Sequence, residues 1–212
     1  MGAARAESSR VVEAGPLVVG LAGVEQFVRR AGRQAVAETR RRGHQATAVV
    51  RDPAAHGDPT DVRVVAGDVT GAGSVEYAAA GHNTAISAAA RLLHRVVPRP
   101  ATGLAKAGVH RLVAVGLASI LPGASGAPLT DEPGYPNEYR PFFLLRTCDL
   151  DWAYVAPAGD SDHAGTPTGR YRLAEDGDPA GRLTYADFAI ALLDEIEAPR
   201  HHSMAVGVRE AW

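Results

Sequence analysis

Six short apolar runs, at 17–22, 46–51, 62–67, 84–88, 111–116 and 152–156, constrain this chain more than any other feature. Between them lie stretches with helical spacing. Run 17–22 ends in glycines, and the segment from about 24 to 42 then carries Val24, Phe27, Val28, Ala31, Ala35 and Val36 at intervals that share one helix face. Gly43 closes that helix as a C′-type glycine, and run 46–51 is a β-branched strand ended by Asp52-Pro53. Helical segments at 74–80, 102–107 and 142–148 separate the remaining runs.

Runs this continuous in apolar residues must be buried on two sides, so their strands pair in parallel with helices on both faces. The predicted fold class is α/β, a Rossmann-like doubly wound parallel sheet. Beyond Pro157 a Gly-, Asp-, Thr- and Pro-rich loop (159–169), a short strand (170–173) and an amphipathic helix (185–197) read as a small C-terminal cap region. Residues 1–15 lack steady periodicity and read as a flexible leader, which leaves 16–212 as a single domain of the usual size.

Charge narrows the partners. The 22 basic and 24 acidic residues nearly cancel to a net −2, without a one-sign block, so no nucleic-acid partner is expected. No apolar stretch is long enough to span a membrane. A lone Cys148 cannot form an internal disulfide, and 1–16 lacks the apolar run of a signal peptide, which points to the cytoplasm. The oligomeric state stays open.

In a doubly wound sheet, ligands bind beyond the carboxyl ends of the strands. After strand one, Gly20-Leu21-Ala22-Gly23 offers small residues where backbone could approach a pyrophosphate, or makes an ordinary strand-to-helix turn. Arg51 ends strand two, where a dinucleotide's adenosine ribose lies. An arginine there suits a 2′-phosphate and favours NADP(H) over NAD, the alternative being a solvent-facing residue beside Asp52. Asp68, after strand three, could accept from an adenine amino group or cap the turn before the next helix. Val69, and Ala88 and Ala89 after strand four, complete the expected cofactor-binding set.

Five strings stand in order along the chain: Arg42-Gly43-His44-Gln45-Ala46-Thr47-Ala48-Val49-Val50-Arg51-Asp52-Pro53, Gly67-Asp68-Val69, Ala107-Gly108-Val109-His110-Arg111-Leu112-Val113, Asp149-Leu150-Asp151-Trp152 and Thr168-Gly169-Arg170-Tyr171-Arg172. Together they resemble the NmrA-like, NAD(P)H-binding members of the atypical short-chain dehydrogenase/reductase group, which include proteins named as NADH-flavin reductases. The resemblance implies a nicotinamide cofactor and a turn of the form Gly-x-x-Gly-x-x-Gly. Counting back from Arg42-Gly43-His44 puts the third glycine at Gly32, with Gly20 and Gly23 lying 12 and 9 positions earlier where the pattern has 6 and 3. Six residues are additional, and Gln26 and Arg29 stand in slots that glycine would fill. Arg29 or Arg30 could then point inward and replace backbone contacts by charge, with the helix beginning nearer Val28 than Val24.

Ordinary members of the wider group use Tyr-x-x-x-Lys, in which lysine lowers the tyrosine pKa for proton exchange. This chain has no such pair. Tyr139, in Gly134-Tyr135-Pro136-Asn137-Glu138-Tyr139-Arg140, is the best substitute, or else it packs against the core; Ser119 after strand five is a second hydroxyl. No metal site is expected: adjacent His201 and His202 on a strand would face opposite ways. Cys148 reads as a small buried hydrophobe, and Asp149 and Asp151 as turn and solvation residues. The residues therefore suggest an NADPH-dependent oxidoreductase for a small or medium organic substrate. The alternative is a cofactor-independent cyclase, isomerase or ligand-binding protein on the same framework.

Overall fold

The computed structural model describes residues 17–20, 26–56, 62–68, 71–88, 98–118, 121, 145, 148–162, 165–178 and 180–211. An eight-stranded sheet runs in the order β3-β2-β1-β4-β5-β6-β10-β8. Its strands are β1 (Leu17–Gly20), β2 (Ala46–Val50), β3 (Arg63–Ala66), β4 (Thr84–Ser87), β5 (Arg111–Val115), β6 (Asp151–Pro157), β8 (Tyr171–Ala174) and β10 (Met204–Glu210). All neighbours pair in parallel except β8, which runs antiparallel to β10. The order reverses at β1, which lies between β2 and β4, and that reversal is where a doubly wound sheet opens a crevice.

Side-chain parity along the central strands fixes the layers. Leu112 and Ala114 of β5, with Trp152, Tyr154 and Ala156 of β6, enter one core; the alternate residues Val113, Val115, Ala153 and Val155 enter the other. Helices α2 (Ala72–Ala79) and α3 (Pro98–Lys106) cover the first face, and α1 (Gln26–Arg41) and α4 (Tyr185–Glu197) cover the second. Where α2 meets α3, a Cβ on Gly103 would fall 2.3 Å from the Ala72 carbonyl, so the close approach needs glycine.

Two helix-to-strand corners, those after α1 and α3, share one device. Gly43 (φ +83°) and Gly108 (φ +84°) take the left-handed conformation. Gly43 N–H donates to the Arg40 carbonyl (2.9 Å) and His44 N–H to that of Thr39 (3.1 Å); Gly108 and Val109 repeat the pattern onto Ala105 and Leu104. Both are Schellman ends that satisfy orphan carbonyls before the strand begins.

The C-terminal region divides in two. β8 and β10 extend the main sheet, while β7 (Asp160–Asp162), inside the segment expected to be loop, and β9 (Arg182–Thr184) form a small parallel ribbon of their own. Helix α4 matches its expected bounds because Thr184 caps it, accepting from Asp187 N–H at 2.9 Å. Asp187 in turn accepts from the N–H groups of Thr168 (2.8 Å) and Gly169 (2.7 Å) and from both threonine hydroxyls, Thr168 and Thr184. That buried carboxylate ties the Thr168-Gly169 segment to the start of α4.

Helices α1 and α4 lie side by side and parallel, and their carboxyl-terminal halves are joined by charge. The Arg42 guanidinium meets Glu38 (2.7 Å), Asp194 (2.7 Å) and Glu197 (2.6 Å). Glu197 also takes His44 Nε2 at 2.7 Å, and the Tyr171 hydroxyl donates to Asp194.

Three expectations are corrected. His201 and His202 stand in the turn before β10, not on a strand, and each has its own acid: Glu195 at 2.7 Å for His201 and Asp151 at 2.9 Å for His202. Asp151 is no mere solvation residue, since it also pairs with the buried Arg111 at 2.9 Å, closing the amino end of β5 and β6. Helix α1 begins at Gln26, midway between Val24 and Val28. The expected leader, and most of the helix expected at 142–148, lie outside the described residues.

Candidate functional site

Five residues connect Gly20, the last of β1, to Gln26, the first of α1. A Gly-x-x-Gly-x-x-Gly turn counted from Gly20 would place its third glycine at 26, where the chain has Gln26, the first residue of α1. Gly32 is consequently a buried residue inside α1, not part of a phosphate turn. The physical reason lies at the far end: the Schellman corner at Gly43 and the pairing of Leu17 with Ala46 hold the end of α1 against β2. Extra residues can then only lengthen the helix toward the carboxyl edge, by roughly 9 Å for six. Amide groups near Gly32 are spent on the helix's own i→i−4 bonds.

Gly20 pairs with Val49 on one side and Ser87 on the other, which sets the crevice between β2 and β4. Arg51 follows β2 directly and is exposed. Ala88, just past β4, is fully buried in the second core. Gly67 continues the β3 edge, its N–H donating to the Val50 carbonyl (2.8 Å), and a Cβ there would meet the Val49 side chain at 2.6 Å. Asp68 N–H donates to the Ser74 hydroxyl (2.8 Å), and its carbonyl accepts from Gly71 N–H (3.0 Å). The N-cap of α2 is Gly71 without a side-chain cap, and the Asp68 backbone takes part in this turn through both its N–H and its carbonyl. Gly23, Val69, Ala89, Ser119 and Tyr139 lie outside the described residues.

Two tyrosines complete the described rim. Tyr154, fully buried in β6, accepts a hydrogen bond on its hydroxyl from Leu117 N–H (2.9 Å) and fills the space where a Gly116 Cβ would sit, 2.2 Å from its ring. Burial pushes its pKa far above the ordinary tyrosine value, so it stays a neutral phenol that positions the backbone after β5. The signal for this was present: an aromatic in strand six, one step from the glycine that ends strand five. Tyr185, the first residue of α4, is also buried; burial raises its pKa, while the positive charge of Arg30 on α1 works the other way. The Arg30 Nη1 is itself buried and has no hydrogen-bond partner among the described residues.

Cys148 donates its thiol to the Leu145 carbonyl (2.9 Å), and burial pushes its pKa up, which suits packing and not nucleophilic chemistry. Among the described residues no group of acids, histidines or cysteines could hold a metal ion. No described helix is long and apolar enough to cross a membrane.

A parallel sheet in this order, with its reversal at β1, is the framework of dinucleotide-binding proteins. The model of the NAD(P)H-binding family matches residues 29–199. The chain is 32% identical over 194 residues to the uncharacterized protein YwnB of Bacillus subtilis (strain 168), covering 81% of this chain and 90% of that one. Two solved structures are similar over nearly their whole length. SP1627 from Streptococcus pneumoniae TIGR4, a candidate NADH-flavin reductase, has a TM-score of 0.72 at 27% identity, covering 93% of this chain and 100% of its own. A candidate epimerase from Bacteroides thetaiotaomicron has a TM-score of 0.75 at 28% identity, covering 94% and 99%. The chain belongs to the NAD(P)H-binding family, within the NmrA-like group of atypical short-chain dehydrogenases/reductases. The family match begins inside α1, downstream of Gly20 and Gly23.

Proposed function

We propose that the protein is an NADPH-dependent oxidoreductase acting on a small or medium organic substrate. The carrying observation is the exposed Arg51 immediately beyond β2, on the side of the crevice where the adenosine ribose lies in this fold. A guanidinium there recognises a 2′-phosphate by charge-assisted bidentate hydrogen bonds and gives NADH no equivalent. The residues present fit a dinucleotide: Gly20 leaves the end of β1 without a side chain, Ala88 puts only a methyl group past β4, and the buried Arg30 Nη1, unpartnered among the described residues, lacks an acceptor that an anion would supply. When bound, the nicotinamide supplies the hydride.

The chain's own part is to bind, orient and move a proton. Tyr154 holds the Gly116-Leu117 backbone, two residues before Ser119 in the sequence. Tyr139 and Ser119 are the hydroxyls assigned to proton exchange with the substrate, in the absence of a Tyr-x-x-x-Lys pair. Titration of the pure protein with NADPH, followed by nicotinamide fluorescence, tests the reading. Saturation at micromolar NADPH, with NADH weaker, is the expected result. No binding of either at millimolar concentration would leave the cofactor-independent cyclase, isomerase or ligand-binding protein.

A further inference from the structure

The seam between α1 and α4 treats its two arginines differently. At one end Arg42 is neutralised by Glu38, Asp194 and Glu197. Arg30 lies twelve residues earlier on the same i±4 row of α1, and across the seam Tyr185 of α4 feels its charge. Asp187, in the same first turn of α4, is already committed to Thr168, Gly169 and Thr184. The Arg30 Nη1 therefore sits buried with no acceptor among the described residues, a state that costs free energy unless something else supplies one.

Its place in the fold says what that acceptor is. Arg30 is in the second turn of α1, at the carboxyl edge of the sheet, two residues before Gly32. In the family pattern the pyrophosphate lies against the glycine turn at this level, and here the backbone N–H groups around Gly32 are closed into the helix. We propose that Arg30 takes over the phosphate contact that the glycine turn makes elsewhere, holding the phosphates of a dinucleotide by charge. This deepens the NADPH reading and rests on it. The shared chemistry is a phosphate anion, from either the dinucleotide or another phosphorylated compound.

The test measures dissociation constants for NADPH and NADH, and competition by inorganic pyrophosphate, on the wild-type chain, Arg30→Met, Arg30→Lys and Arg51→Ala. Because the pyrophosphate is common to both dinucleotides, Arg30→Met is expected to weaken NADPH and NADH alike, by about ten- to a hundredfold. Arg30→Lys recovers part of that loss, pyrophosphate competes only when Arg30 or lysine is present, and the cofactor-free melting temperature of Arg30→Met does not fall. Arg51→Ala, by contrast, weakens NADPH alone. Wild-type binding that Arg30→Met leaves unchanged would overturn the inference while leaving the NADPH reading intact. Loss of pyrophosphate competition without loss of dinucleotide affinity overturns it too, assigning the site to another phosphate. Failure of the wild-type chain to bind either dinucleotide removes the reading and the inference together.

Discussion

The hydroxyl of Tyr154 accepts the Leu117 N–H at 2.9 Å while its ring occupies the volume above Gly116, so one side chain of β6 sets the course of the chain leaving β5. Tyr154→Phe keeps the packing and removes the acceptor, and its expected cost is about 1–2 kcal/mol in denaturant unfolding. Gly116→Ala does the reverse, placing a Cβ inside the ring, and is expected to cost about 1–3 kcal/mol. Unchanged midpoints for both variants would remove Tyr154 from its positioning role.

Arg51→Ala is expected to weaken NADPH by about 1.5–3 kcal/mol, the scale of a hydrogen bond to a charged group, with NADH nearly unaffected. Equal losses for the two cofactors in a fluorescence titration would place Arg51 outside the 2′-phosphate site.

Tyr139→Phe removes a hydroxyl and little volume. A general-acid role predicts turnover lower by about a hundredfold or more at an unchanged melting temperature. Steady-state rates equal to wild type would return Tyr139 to packing.

The α1–α4 seam carries an acid-sensitive part of the stability. The hydrogen bond from Arg41 is the main cause that holds the Glu38 carboxyl below its ordinary range; burial opposes it, and Arg42 adds to the lowering. A depressed folded pKa means the contribution is fully present above the ordinary carboxylate range and is lost as pH falls through the lower folded value. Urea midpoints measured downward from pH 5 should therefore fall less steeply for Glu38→Gln than for wild type. Parallel curves would show that Glu38 contributes nothing to acid sensitivity.

Gly43→Ala and Gly108→Ala meet no atom within 4 Å, yet both sit at φ above +80°. The cost is conformational alone, about 1–2 kcal/mol each, and additive because the corners are separate. Thermal unfolding of the single and double variants measures it.

The sheet was legible because its strands are buried on two sides and advertise it: five consecutive buried residues in β2 and in β5, with Gly43 and Gly108 marking where helices give way. Helix α4 was legible through its amphipathic pattern over 185–197, and the Thr184 cap that fixes its start came from the structure. β7 was not, since Asp160-Ser161-Asp162 has strand geometry only because it pairs with β9. Pairing between distant segments leaves no local pattern. Asp151 misled for a related reason, as its partners Arg111 and His202 lie forty and fifty-one positions away. At the candidate site, Arg51 and the count of additional residues could be read directly. What those residues do could not, because nothing in Val24-Glu25-Gln26-Phe27-Val28 distinguishes a longer turn from a longer helix until the far end of α1 is fixed.

The sheet ends in β3 on one side and β8 on the other, each four residues long and each carrying an exposed arginine, Arg63 and Arg172. A second copy approaching either margin would find few unpaired backbone groups to join and a cation beside them. Short, charged margins of this kind discourage edge-to-edge strand addition, so the same α/β order that builds the crevice also helps keep the molecules from polymerising through their sheets.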